Sequence, residues 1–242
     1  MSVSTEVQGK EENALLNLIF NIVLPVIILN QLSKRLGDNG PLIALVTALL
    51  LPIAYGAYDY ITRKKKNYLS LLGILNISVT GGFALLGLGG IWFAIKEAFF
   101  PLIIGVAVYF SNILDKPFIY TMFWNKRIFR TELIEAKLRE RKCEDCLIAL
   151  FRKATFLFSV SFFISSGLNF ILANRIFTNI DSALSSTERT EILNQQIAKM
   201  TWMGHLIIAV PMTIFIAIVM WFTIQKLKKL SGLSLDEIIN EG

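Results

Sequence analysis

A single histidine (His205) and two cysteines (Cys143 and Cys146) leave this chain short of soft metal ligands. They are too few for a disulfide framework or a Cys/His metal cluster. Charge is also sparse, at 17% of residues against the roughly one quarter usual in soluble domains. Short enzyme signatures are missing as well. There is no GKS or GKT loop, no GxSxG elbow, no HExxH and no carboxylate cluster suited to metal-assisted hydrolysis. No cofactor is expected. The apolar stretches are continuous rather than alternating, which excludes a transmembrane β-barrel.

Long apolar blocks are what the chain does have. Hydrophobic residues make up 54% of its 242 positions, and mean hydropathy is +0.58. The sequence predicts an all-α, polytopic integral membrane protein with a bundle of six spans, at 14–32, 41–61, 68–88, 91–114, 154–174 and 202–224. Each is close to the roughly 20 residues that cross about 30 Å of hydrocarbon at ~1.5 Å per residue. A polar N-terminal tail (1–13) precedes the 14–225 transmembrane domain, and a 226–242 tail follows it. The polar opening, MSVSTEVQGKEEN, leads into a run of full spanning length, so no cleavable signal peptide is expected.

The net charge of +6 follows topology. Eighteen of the 24 basic residues fall in the N-terminal tail, the 63–66 turn, the 115–153 stretch and the C-terminal tail. Five (Lys34, Arg35, Arg175, Arg189 and Lys199) fall on the other side, and Lys96 lies within a span. The positive-inside rule then places both termini and the 115–152 loop in the cytoplasm, and the 175–201 loop outside. Because the basic residues flank spans, nucleic acid is not an expected partner. The expected partners are the bilayer, anionic head groups at the cytoplasmic face, and other membrane proteins or further copies of the chain.

Local patterns add detail. Cys143, Cys146, Leu147, Leu150, Phe151 and Ala154 share one helical face, which predicts a cytoplasmic helix running straight into the fifth span. The CxxC lies on that apolar stripe, where packing is the favoured reading over redox or metal chemistry. Ser185 with Glu188, and Ser234 with Glu237, have capping-box spacing. Leu193, Ile197 and Met200 continue a face toward Gly204, which predicts a sixth helix that projects beyond the membrane.

The candidate functional residues are polar groups inside spans: Lys96, Glu97, Asn17, Asn21, Asn76, Asn169 and His205. Lys96 lies near the outer end of the fourth span, where snorkelling to the head groups and an interhelical bond compete with a role in an aqueous cavity. The asparagines read either as interhelical glue or as the lining of a polar path. Pro25, Pro52, Pro101 and Pro211 are candidate hinges, or prolines tolerated in spans for packing alone. Gly81, Gly82, Gly87, Gly89 and Gly90 either allow close helix contact or build a tight outer hairpin.

The run from Leu71 to Trp124 resembles the bacterial septation protein A family and a related group of mostly six-span inner-membrane proteins. The Gly81-Gly82 pair, Trp92, Lys96, Pro101-Leu102-Ile103 and Lys116-Pro117 carry the resemblance, with Gly167-Leu168-Asn169 and Ala173 matching further on. The N-terminal LPVIILNQLSK and PLIALVTALLLPIAYGAYDY fit the same relatives, so it extends over most of 14–225. It implies an inner-membrane protein of the cell envelope, connected with septation and without catalytic residues to assign. This chain is longer in its N-terminal region, its charged cytoplasmic segment and its outer loop. Three functions follow as expectations: a structural or interaction protein of the envelope, a small-solute or ion transporter, or a lipid-acting enzyme, the last without a recognisable constellation.

Overall fold

The computed structural model describes residues 19–63, 75, 78–83, 86 and 88–240. Asn17 and Asn76, most of the third expected span and the start of the first therefore lie outside the described residues. Among the described residues every regular element is helical, and one isolated antiparallel bridge joins Phe129 to Ile239.

Helical turns run from Ile19 to Arg35, alternating between π-type (Ile19–Val23, Ile28–Leu32) and α-type (Leu24–Ile27, Ser33–Arg35). The longer helices are α1 (Gly40–Arg63), α2 (Ile91–Phe110), α5 (Glu144–Ile176), α6 (Ser186–Gly204) and α7 (Val210–Ser231). The short helices α3 (Phe118–Phe123), α4 (Thr131–Glu140) and α8 (Leu235–Ile238) complete the set. A π-turn, His205–Ala209, joins α6 to α7. Four helical stretches among the described residues are long and apolar enough to cross a membrane: Gly40–Tyr58, Ile91–Ile113, Glu144–Ile176 and Ser186–Ser231. They correspond to the second, fourth, fifth and sixth expected spans.

Two local expectations are met in full. Helix α5 begins at Glu144 and runs unbroken to Ile176, so the amphipathic stretch and the span are one element. Both capping boxes are closed. In each, the serine hydroxyl accepts from the glutamate backbone N–H, and the glutamate carboxylate accepts from the serine backbone N–H.

The chain divides into two compact units, one of residues 1–96 and 171–205, the other of 97–170 and 206–242. The division falls inside helices, after Lys96, Phe170 and His205. In the first unit, the Ile19–Arg35 turns pack on α1 and α6. Its core joins Leu29, Leu45, Ala48, Phe93, Ala173 and Phe177 to Leu193, Ile197 and Met200, the predicted apolar face of α6. The Phe93 ring stacks on Phe177 at 4.3 Å between centroids.

In the second unit, α4 packs on α7 and α8. Its core gathers Ile119, Phe129, Ile134 and Leu138 with Leu147, Phe151 and Ala154 of α5, and Leu227, Leu233 and Ile238 from the tail. The 115–152 segment is thus a folded cap, built on the apolar face that the sequence places around Cys146 and Phe151. Backbone bonds from Arg130 N to Ile238 O (2.9 Å) and from Asn240 N to Ile128 O (3.0 Å) tie the C-terminal tail to it.

Proline positions have two structural outcomes. Pro52 and Pro101 sit inside continuous α-helix. Pro25 and Pro211 each stand at the second position of the α-helical segment that follows a π-turn. A wider turn relieves the clash between the proline ring and the carbonyl four residues back, while the missing N–H removes one ladder bond. The glycines divide similarly. At Gly81 a Cβ would stand 2.8 Å from Leu49 Cδ1, so a larger residue there would have to displace the end of the Leu49 side chain. At Gly90 the backbone is left-handed, with φ +54°, and Asn179 lies where a side chain would go.

Candidate intramembrane polar site

Helix α2 opens just after Gly90 and carries Lys96 at its sixth position. Sequence alone allows the lysine stem to lead the ammonium out to an interface. Lys96 is 5% exposed, and its Nζ donates to Thr80 Oγ1 at 2.6 Å, an interhelical bond of the kind the sequence also allowed. The same ammonium lies 6.0 Å from the centroid of the Phe93 ring, the outer limit for a cation–π attraction. Thr80 belongs to the glycine-flanked helical stretch 78–83. The bond therefore joins the helical stretch 78–83 to α2. A hydrogen bond made by a charged donor is worth about 1.5–3 kcal/mol net.

The other candidates separate. Glu97 is half-buried and belongs to the second unit, although it adjoins Lys96 in sequence. Asn169 donates from Nδ2 to Ser165 O at 2.8 Å, one turn back on its own helix, so this bond does not bridge helices. His205 is exposed, and its Nδ1 lies 2.8 Å from Thr201 O at the start of the π-turn. It serves the helix backbone where the regular ladder is interrupted. Asn21 lies in the first π-turn, while Asn17 and Asn76 fall outside the described residues. Among the described residues, no group of three or more His, Cys, Asp or Glu side chains is placed to hold a metal ion.

Sequence reasoning passed over several polar ties. Asn194 is fully buried in α6 and donates to Pro41 O at 2.8 Å. Gln196 donates to Thr178 Oγ1 at 3.1 Å. In the second unit Ser166 donates to Ala98 O at 2.8 Å, joining α5 to α2. Asn194 lies one turn before Ala198 and beside Leu193 on the apolar face of α6. A polar residue interrupting that face was the available signal.

The cap has its own polar framework. The Thr155 hydroxyl, fully buried, accepts from the backbone N–H of Ile119 at 3.1 Å and anchors α3 to α5. Tyr120, Trp124, Phe129 and Phe151 form an aromatic cluster beside it. Burial, and then the nearby Glu135 carboxylate, push the Tyr120 hydroxyl above its ordinary range. On the surface, Lys126 bonds to Glu132, which raises the lysine and lowers the carboxyl. Both groups are exposed, so the pair adds little stability. Cys143 and Cys146 are joined by a disulfide at the start of α5, and Cys143 also packs on the cap core. The sequence favoured packing alone for this pair. An i, i+3 spacing at a helix start brings two side chains onto one face and so allows both.

Comparison with family models, with curated proteins and with solved structures finds no match.

Proposed function

We infer that this chain is a multi-pass protein of a bacterial inner membrane, with six spans and both termini in the cytoplasm, acting as a structural or interaction component of the cell envelope. The observation that carries this reading is the folded cap. Residues 115–152 and the tail share an apolar core in which Ile134 and Ile238 are fully buried, yet Leu133, Leu235 and Ile239 remain exposed around it. A connecting loop needs no core of its own, whereas a docking module does. The excess of basic residues on this side supports a cytoplasmic cap. The resemblance of residues 71–124 to the septation protein A family adds the envelope role. A reducing cytoplasm would convert the Cys143–Cys146 disulfide to the dithiol, and the packing of Cys143 on the cap core does not depend on that bond.

The test is photo-crosslinking in cells from exposed cap positions, Leu133 and Ile239. A discrete adduct with one membrane protein is expected, and it disappears when the cap core is broken by Ile134→Asp. Reporter fusions at both ends are expected to read cytoplasmic. An external C-terminus would refute the six-span topology.

A second reading, a small-solute or ion transporter, is favoured by one observation: Lys96 is buried and paired with Thr80 within an expected span. An intramembrane lysine is by default a functional candidate. Flux through reconstituted wild type that is lost in Lys96→Met would establish transport. Equal flux in wild type, variant and empty vesicles would remove it.

A further inference from the structure

Helices α5 and α7 do not close on each other over their whole length. Inside the second unit they leave a groove of about 670 Å³, within the range of small-molecule sites. Leu150, Leu157 and Phe222 line its apolar part, and Lys153, Lys226 and Lys229 rim it. No carboxylate is among its lining residues. Phe222 is 60% exposed, so the groove opens sideways rather than into a closed chamber.

The order of these residues along the helices matches the depth profile of a lipid. Leu157 and Phe222 fall within the expected fifth and sixth spans. Lys153 lies one residue before the fifth, and Lys226 and Lys229 lie just after the sixth. Hydrocarbon-facing residues are therefore followed by three cations at the level where a membrane carries phosphates. Ammonium groups bind phosphate as point charges, and long lysine stems reach a head group while their carbons lie on apolar surface. A neutral lipid would leave three like charges uncompensated around one groove, and an apolar partner helix would do the same.

We propose that this groove is a binding site for a single anionic phospholipid, with one acyl chain along Leu157, Val219 and Phe222 and the phosphate held among Lys153, Lys226 and Lys229. This goes beyond a general attraction of basic residues to a charged surface, because it requires one site with an apolar floor. It is also independent of the cap's protein partner. Loss of crosslinks from Leu133 leaves the lipid count unchanged, and loss of the lipid leaves the reporter topology unchanged.

The experiment uses the full chain in nanodiscs of mixed phosphatidylglycerol and phosphatidylcholine, released and weighed by native mass spectrometry. Wild type is expected to retain one phosphatidylglycerol and no phosphatidylcholine. Each single Lys→Gln change at the rim weakens retention about fivefold, and the triple change abolishes it. Lys→Arg at the same three positions retains the lipid. Phe222→Gln, at an exposed position in the groove wall within the expected sixth span, removes apolar contact with the acyl chain and weakens retention with every charge in place. A charge-matched control, Lys116→Gln with Arg127→Gln and Lys142→Gln, keeps it. Circular dichroism of each variant establishes that the helices are intact. Equal loss in the control, equal retention of phosphatidylcholine, or undiminished retention in Phe222→Gln overturns the site. A lipid-free dimer that Phe222→Gln separates assigns the groove to a second copy and overturns it equally.

Discussion

Both units bury an apolar core, and they differ in how much of the chain supplies it. The first draws its core from segments spread between Leu29 and Met200, with side-chain bonds from Lys96 to Thr80, Asn194 to Pro41 and Gln196 to Thr178 beside it. The second closes around an aromatic and aliphatic cluster drawn largely from one stretch, 117–158, with the tail laid across it. In hydrocarbon, burial of apolar surface gives no drive for helices to associate, so polar bonds and close backbone contact carry more of the specificity. Where a segment meets water, the hydrophobic effect acts again and an ordinary core forms. The 115–152 cap of the second unit closes around a core of this ordinary kind.

The strongest way to break this contrast is Phe151→Ala. It removes a ring 2% exposed from the cap core and is expected to cost about 3–5 kcal/mol, with amide protection lost across α3, α4 and α8. Protection in α1 and α6 stays as in wild type. Equal loss in α1 would show that the two units unfold together.

A smaller effect is expected in the first unit. A double-mutant cycle of Lys96→Met and Thr80→Val should give a coupling of about 1.5–3 kcal/mol, read from unfolding in detergent. Coupling near zero would assign the lysine's burial to its stem alone. Asn194→Ala is expected to cost about 1 kcal/mol by releasing Pro41 O at the start of α1, and to raise exchange in α1 while leaving α4 unchanged.

The smallest effect is that of pH on the caps. The Ser234 backbone N–H, and then its hydroxyl, hold the Glu237 carboxyl below the usual carboxylate range, helped by Arg130 and Lys137. The Ser185 hydroxyl and backbone do the same for Glu188. A lowered folded-state value means that the contribution is complete above the unfolded pKa and is lost as pH falls through the folded one. Protection of the Leu235–Ile238 amides, relative to the intrinsic exchange rate at each pH, should therefore fall as pH drops below the usual carboxylate range, and Glu237→Gln should remove that dependence. An unchanged acid response in the variant would assign it to other carboxylates.

Features built from neighbouring residues were legible in advance. The merger of the amphipathic stretch with the fifth span, the 193–197–200 face and both capping boxes depend on helical periodicity and three-residue spacing alone. The lysine's setting was not legible, because its depth and its bond depend on where residues 78–83 pack against α2. Asn169 shows the converse: an intramembrane asparagine expected to bridge helices or line a path bonds one turn back on its own helix. Asn194, placed in the outer loop by sequence, makes the long-range tie instead.

By itself the sequence determined the chemical class, because long apolar runs and sparse charge leave a helical membrane protein as the stable solution. It also determined the local helix limits, since caps and periodicity act within a few residues. Only the tertiary structure decided that the charged 115–152 segment is a folded cap, that Lys96 is buried against Thr80, and that α5 and α7 part to leave a lysine-rimmed groove. Those outcomes depend on contacts between residues far apart in the chain, whose strength is set by burial and not by spacing.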